Sequence, residues 1–103
     1  MNYKSKRSKA TDIPQKVKRE VYERDNGLCI FCGKPGMPNA HVVPRSRGGL
    51  GVPQNIVTAC VECHRRFDST TDRKIYLEVA KTHLRRFYGA YSESEVVYKK
   101  GEA

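Results

Sequence analysis

The chain has 103 residues, of which 38% are hydrophobic and none is tryptophan. So short a chain buries only about two thirds of the surface its unfolded form exposes, which excludes a two-domain enzyme with a deep, wholly protein-lined cavity; no apolar run approaches the roughly 20 residues that span a bilayer, so no membrane partner is expected. Twenty Lys and Arg against 11 Asp and Glu give a formal net charge of +9, which suits a polyanion, with nucleic acid first.

Residues 1–12 are polar and basic and read as a flexible arm. No apolar stretch follows their basic residues, as a secretory signal requires, so a cytoplasmic location with reduced thiols is expected. A helix is predicted over 14–25. Pro14 suits its first turn, where a missing N–H costs nothing. Thr11 or Asp12 is the candidate cap, Val17 and Val21 share one face, and Asn26-Gly27 ends it. The segment 34–39 holds two prolines and a glycine and reads as loop. Residues 40–43 suit a strand, 45–54 a glycine-rich loop, and 55–59 a returning strand or turn. Residues 60–68 run from a Cys-x-x-Cys knuckle into a helix. The most periodic segment is 72–88, where Tyr76, Val79, Ala80, His83, Leu84 and Phe87 mark a helical stripe closed by Gly89. His83 reads as a histidine at the core edge. Residues 13–89 thus form the domain body and 90–103 a mobile tail.

The four cysteines form two pairs, Cys29-x-x-Cys32 and Cys60-x-x-Cys63. Two such pairs place four thiolates tetrahedrally around one Zn²⁺, at about 2.3 Å each. Binding in such a site adds to folding free energy, on the order of 10 kcal/mol in small zinc peptides, which offsets a thin core. A redox pair or inert buried thiols is the weaker reading of two short-spaced pairs in one short chain.

Between the pairs lies Ala40-His41-Val42-Val43-Pro44, then Arg45, Arg47 and the Gly48-Gly49 loop, then Asn55, and finally Cys63-His64. Over residues 26–68 this order resembles the HNH endonucleases with a four-cysteine zinc site: a cysteine pair, a histidine on a first strand followed by proline and a GG loop, a central asparagine, and a second pair followed directly by histidine. The resemblance implies an α+β fold, a small zinc-stapled ββα-metal domain with flanking N- and C-terminal helices. It implies metal-dependent hydrolysis of phosphodiester bonds in double-stranded DNA, of one strand or of both. By the family pattern His41 is the general base that activates water, Asn55 braces the loop that orients it, and His64 ligates a catalytic divalent metal, Mg²⁺ or Mn²⁺. A histidine titrating near neutrality and a Lewis-acid metal are what this chemistry needs. Small proteins of this type also resemble phage or prophage proteins that act beside the packaging terminase.

The chain departs from the pattern at Ala40, where the family carries a further metal ligand. Asp68, four residues after His64, shares its helical face and is the best substitute. On this reading Ala40→Asp is tolerated. Arg45, Arg47, Arg65 and Arg66 flank the motifs and are candidates for phosphate contacts, which position a duplex without reading its bases. The missing ligand leaves a competing expectation: a non-catalytic, zinc-stabilised DNA-binding module that retains the scaffold.

Overall fold

Val17 and Val21, one turn apart, are the buried residues of the helix Gln15–Arg24 (α2). They meet Ile56 and Ile13 in a small cluster. The computed structural model describes residues 5–99, and within it α2 is preceded by a six-residue helix, Lys6–Thr11 (α1). Two strands follow, Met37–His41 (β1) and Ile56–Ala59 (β2), then two helices, Val61–Asp68 (α3) and Arg73–Tyr88 (α4).

β1 and β2 pair antiparallel, with Ala40 opposite Val57 and His41 opposite Ile56. All four residues of β2 are buried, because the hairpin lies between two layers. Ile56 faces the α2 cluster, whereas Val57 and Ala59 face the main core with Phe67 of α3 and Ala80 and Leu84 of α4. This alternation follows from the two-residue period of a strand. The hairpin followed by α3 is the ββα unit expected from the sequence, and helices flank it on both sides.

The layers are also joined by a polar link. Asp25, at the C-terminal end of α2, has a fully buried side chain that accepts from Arg24 Nε and Nη2 at 2.8 and 2.9 Å. It also accepts from the Thr58 amide at 3.0 Å and lies 2.7 Å from His83 Nε2. Burial works against its charge, but the bonds from His83, Arg24 and Thr58 prevail and hold the carboxyl well below the usual carboxylate range. His83 therefore sits at the core edge in a structural role, joining α4 to α2.

Several local expectations are corrected. β1 begins at Met37, inside the stretch read as loop. Pro38 is accommodated because the pairing is irregular between Met37 and Ala40, and an irregular edge strand needs no ladder N–H there. Pro14 is itself the N-cap of α2, with no side-chain cap from Thr11 or Asp12. On α4, Ala80 and Leu84 are buried, but Val79 and Phe87 are 41% and 49% exposed, so the stripe is narrower than its periodicity suggests.

Both flanks depart from the arm and tail of the sequence reading where they are described. α1 is capped by Ser5, whose Oγ accepts from the Ser8 amide at 3.1 Å. A six-residue helix is marginal alone, and this one is held from outside: Thr11 is buried and the Ala10 carbonyl accepts from the Gly51 amide at 2.9 Å. At the other end Val96 is buried, and its carbonyl accepts from the Leu50 amide at 2.8 Å. The outermost parts of the expected arm and tail, 1–4 and 100–103, lie outside the described residues.

Candidate functional site

The four cysteine sulfurs lie within 4.8 Å of one another. Cys32 Sγ and Cys60 Sγ are 3.7 Å apart, close to the roughly 3.8 Å edge of a tetrahedron with 2.3 Å Zn–S bonds. The first knuckle is a tight turn closed by Gly33 N–H to Cys29 O at 2.9 Å and tied to β2 by Ile30 N–H to Thr58 O at 3.0 Å. The second opens α3: Cys60 is its N-cap, and its sulfur accepts from the Cys63 amide at 3.4 Å. That amide, with the Cys63 thiol, lowers the Cys60 pKa to about 7, while Cys63 is pushed up to about 12, first by burial and then by the neighbouring cysteine sulfurs. The donor set and its spacing fit one structural zinc, held by Cys29, Cys32, Cys60 and Cys63.

His41 is the last residue of β1. Its Nε2 lies 2.8 Å from the backbone oxygen of Thr11. A carbonyl only accepts, so Nε2 carries the proton in the neutral ring and Nδ1 keeps its lone pair. The His41 pKa lies below its ordinary value, chiefly because the ring is buried, with electrostatic contributions from Arg45 and His64 adding to the effect. The Thr11 carbonyl and Asp12 work in the opposite direction.

Asn55 ends a short 3₁₀ turn, Pro53–Asn55, and is fully buried. Its Oδ1 accepts from the Val43 amide at 2.8 Å, and its Nδ2 donates to Leu50 O at 2.9 Å and Val43 O at 3.2 Å. One carboxamide thus pins both sides of the loop that follows His41. Gly49 lies so close that an added Cβ would fall 1.7 Å from Val43 O and 2.9 Å from Asn55 Nδ2; no side chain fits there.

His64, in the first turn of α3, and Asp68, at its end, stand on one face with Nε2 and Oδ2 3.8 Å apart. That is too long for a hydrogen bond. Both side chains are accessible, at 35% and 70%, so an imidazole and a carboxylate are presented together to solvent. Ala40 is fully buried in the main core, pointing away from this face. Of the four arginines, Arg45 pairs with Asp12, Arg47 with Glu93 at 3.9 Å, and Arg66 with Glu62 at 3.3 Å; Arg65 is exposed.

Two supports of the site escape sequence reasoning. One is the Thr11 carbonyl, since a backbone acceptor leaves no mark in a sequence. The other is Arg73, which lies over the Phe67 ring at 4.7 Å and donates to Val42 O at 2.9 Å and Phe67 O at 3.3 Å. It ties the start of α4 to the residue after His41.

Residues 29–79 match the family model described as HNH endonuclease. Over 80 residues, 68% of the chain, the sequence is 29% identical to the type IV methyl-directed restriction enzyme EcoKMcrA of Escherichia coli (strain K12). The chain spans 29% of that enzyme's length. Among the described residues no helix is long and apolar enough to cross a membrane.

Proposed function

We propose that this chain, whose residues 29–79 belong to the HNH endonuclease family, is a metal-dependent nuclease that hydrolyses phosphodiester bonds of DNA. The observation that carries the reading is His41: one ring nitrogen is occupied by the Thr11 carbonyl, and the other is left as a proton acceptor. In the proposed reaction His41 Nδ1 takes a proton from the attacking water. Asn55 keeps the loop after His41 in one conformation, so the base does not drift from the water it activates. A Mg²⁺ or Mn²⁺ bound by His64 and Asp68 would supply Lewis-acid stabilisation of the phosphate and the leaving oxygen. Asp68 gives that pair the oxygen donor that hard cations prefer. In this reading Arg45 and Arg65 meet neighbouring phosphates, Arg45 by exchanging Asp12 for DNA. The cysteine cluster, with its zinc, holds the turn after α2 against the start of α3, which carries His64.

The match to a restriction enzyme favours a role in degrading DNA over the terminase partnership suggested by the sequence resemblance, and a cytoplasmic setting suits either. The test is nicking or linearisation of supercoiled plasmid by zinc-loaded protein with Mg²⁺ or Mn²⁺. Cleavage is expected from the wild type. It should fall for Asp68→Ala at limiting metal, with recovery at higher Mg²⁺ or Mn²⁺. A chain that binds plasmid and retains zinc but never cuts would instead be the binding-only module.

A further inference from the structure

Three of the four arginines nearest the motifs are engaged by carboxylates, Asp12, Glu93 and Glu62. Cations without such partners stand on α2. Gln15, Lys18, Arg19 and Tyr22 are spaced i, i+3, i+4 and i+7 and so form one stripe, while Val17 and Val21 face the core. Among the described residues neither Lys18 nor Arg19 has a carboxylate oxygen within 4.0 Å, and Glu23, one turn beyond Arg19, does not reach it.

This stripe is one wall of a groove whose other wall is Met37, Pro38 and Asn39. Along β1 burial alternates: Met37 and Asn39 are exposed, Pro38 and Ala40 are buried, and His41 is half-buried. The outer face of the strand therefore runs from Met37 through Asn39 to His41. The groove carries exposed apolar surface, with Met37 59% and Tyr22 48% accessible. Tyr22 is seated over Gly27, where an added Cβ would fall 2.7 Å from the ring, so its outer side stands as a fixed plate.

We infer that the α2–β1 groove is a second DNA-contact surface, which takes the sugar-phosphate backbone of the duplex leading away from the bond at His41. Lys18 and Arg19 pair with phosphates. Tyr22 and Met37 cover the apolar faces of deoxyribose. Asn39, between them and His41, offers a carboxamide that both donates and accepts. Charge complementarity selects this occupant: two unpaired cations on a chain of net charge +9 are satisfied by phosphates, whereas an apolar protein partner would have to desolvate them without compensation. The inference rests on DNA as the substrate but not on catalysis.

The test is fluorescence anisotropy with a 20-base-pair duplex and full-length, zinc-loaded protein, without added Mg²⁺ or Mn²⁺, over a range of salt concentrations. Lys18→Gln/Arg19→Gln is compared with Arg85→Gln/Arg86→Gln, an exposed pair on the last turn of α4. The α2 pair should weaken binding about tenfold at low salt and lower the salt slope by about two, with the α4 pair having a distinctly smaller effect. Equal losses from both pairs would mean bulk charge alone, and would overturn the inference. Unchanged affinity and slope for the α2 pair would also overturn it, leaving the groove to another partner. Failure of the nuclease reading shows separately, as wild type that binds this duplex in the expected salt-dependent way yet cuts nothing when Mg²⁺ or Mn²⁺ is supplied.

Discussion

His41 is held at one nitrogen and open at the other, and its surroundings disfavour the proton it would have to lose. Burial, Arg45 and His64 bring its pKa below the ordinary 6.5. The neutral, base-competent ring therefore persists as the pH falls through 6.5, and the acid limb of the kcat/KM profile for cleavage should lie below that value. His41→Ala should lose roughly 10²–10⁴-fold in rate, with zinc content and DNA affinity kept, as checked by metal analysis and anisotropy. Ala40, its neighbour, behaves in the opposite way. The sequence invites Ala40→Asp as the restoration of a family ligand, but this Cα faces a core of Val57, Phe67 and Leu84. A carboxylate there has no partner, at a cost of several kcal/mol. Thermal denaturation of the zinc-loaded variant should show a midpoint lower by about 10 °C or more, with no gain in metal affinity.

The elements that carry the HNH pattern are those the sequence makes legible. Cysteine spacing, the β-branched run 42–43 and the 3.6-residue period of α4 each answer to one local rule. The flanks do not, because they dock through backbone groups and isolated polar side chains that form no pattern. Asp12 and Arg7 reach the loop from the N-terminal side: Asp12 pairs with Arg45, and Arg7 donates to Ser46 O at 2.6 Å. From the C-terminal side the Tyr98 amide donates to Gly48 O at 2.7 Å, and Glu93 meets Arg47. A polar stretch such as Lys6–Thr11 carries no pattern that announces such a role. Both clamps lie outside the matched residues 29–79, yet the N-terminal one supplies the carbonyl that orients His41. Gly51 tests this coupling. A Cβ at Gly51 would fall 1.8 Å from Asp12 O, so Gly51→Ala must push α1 away from the loop. Cleavage should drop well below wild type in kcat, while zinc content and duplex affinity stay close to it. Unchanged kcat would show that His41 is oriented without Thr11.

At the scale of the whole molecule, two cross-links compensate for a chain with little apolar material. The Asp25 group joins α2, β2 and α4. The cysteine cluster joins the turn after α2 to the start of α3, segments with 27 residues lying between Cys32 and Cys60. The cluster therefore fixes the start of α3 against the turn that precedes β1. Four thiolates around one ion supply that constraint, and they do so as part of folding itself. Purified protein should carry about one zinc per chain, measured by elemental analysis. Cys60→Ser should be the more disruptive change than its exposed partner Cys32→Ser, because Cys60 also caps α3 through the Cys63 amide. Chelation should unfold the chain, seen as loss of helical circular dichroism, and added Zn²⁺ should restore the signal and cleavage together. Helicity and activity that survive complete zinc removal would assign the stability to the apolar core instead and leave the four cysteines without a structural role.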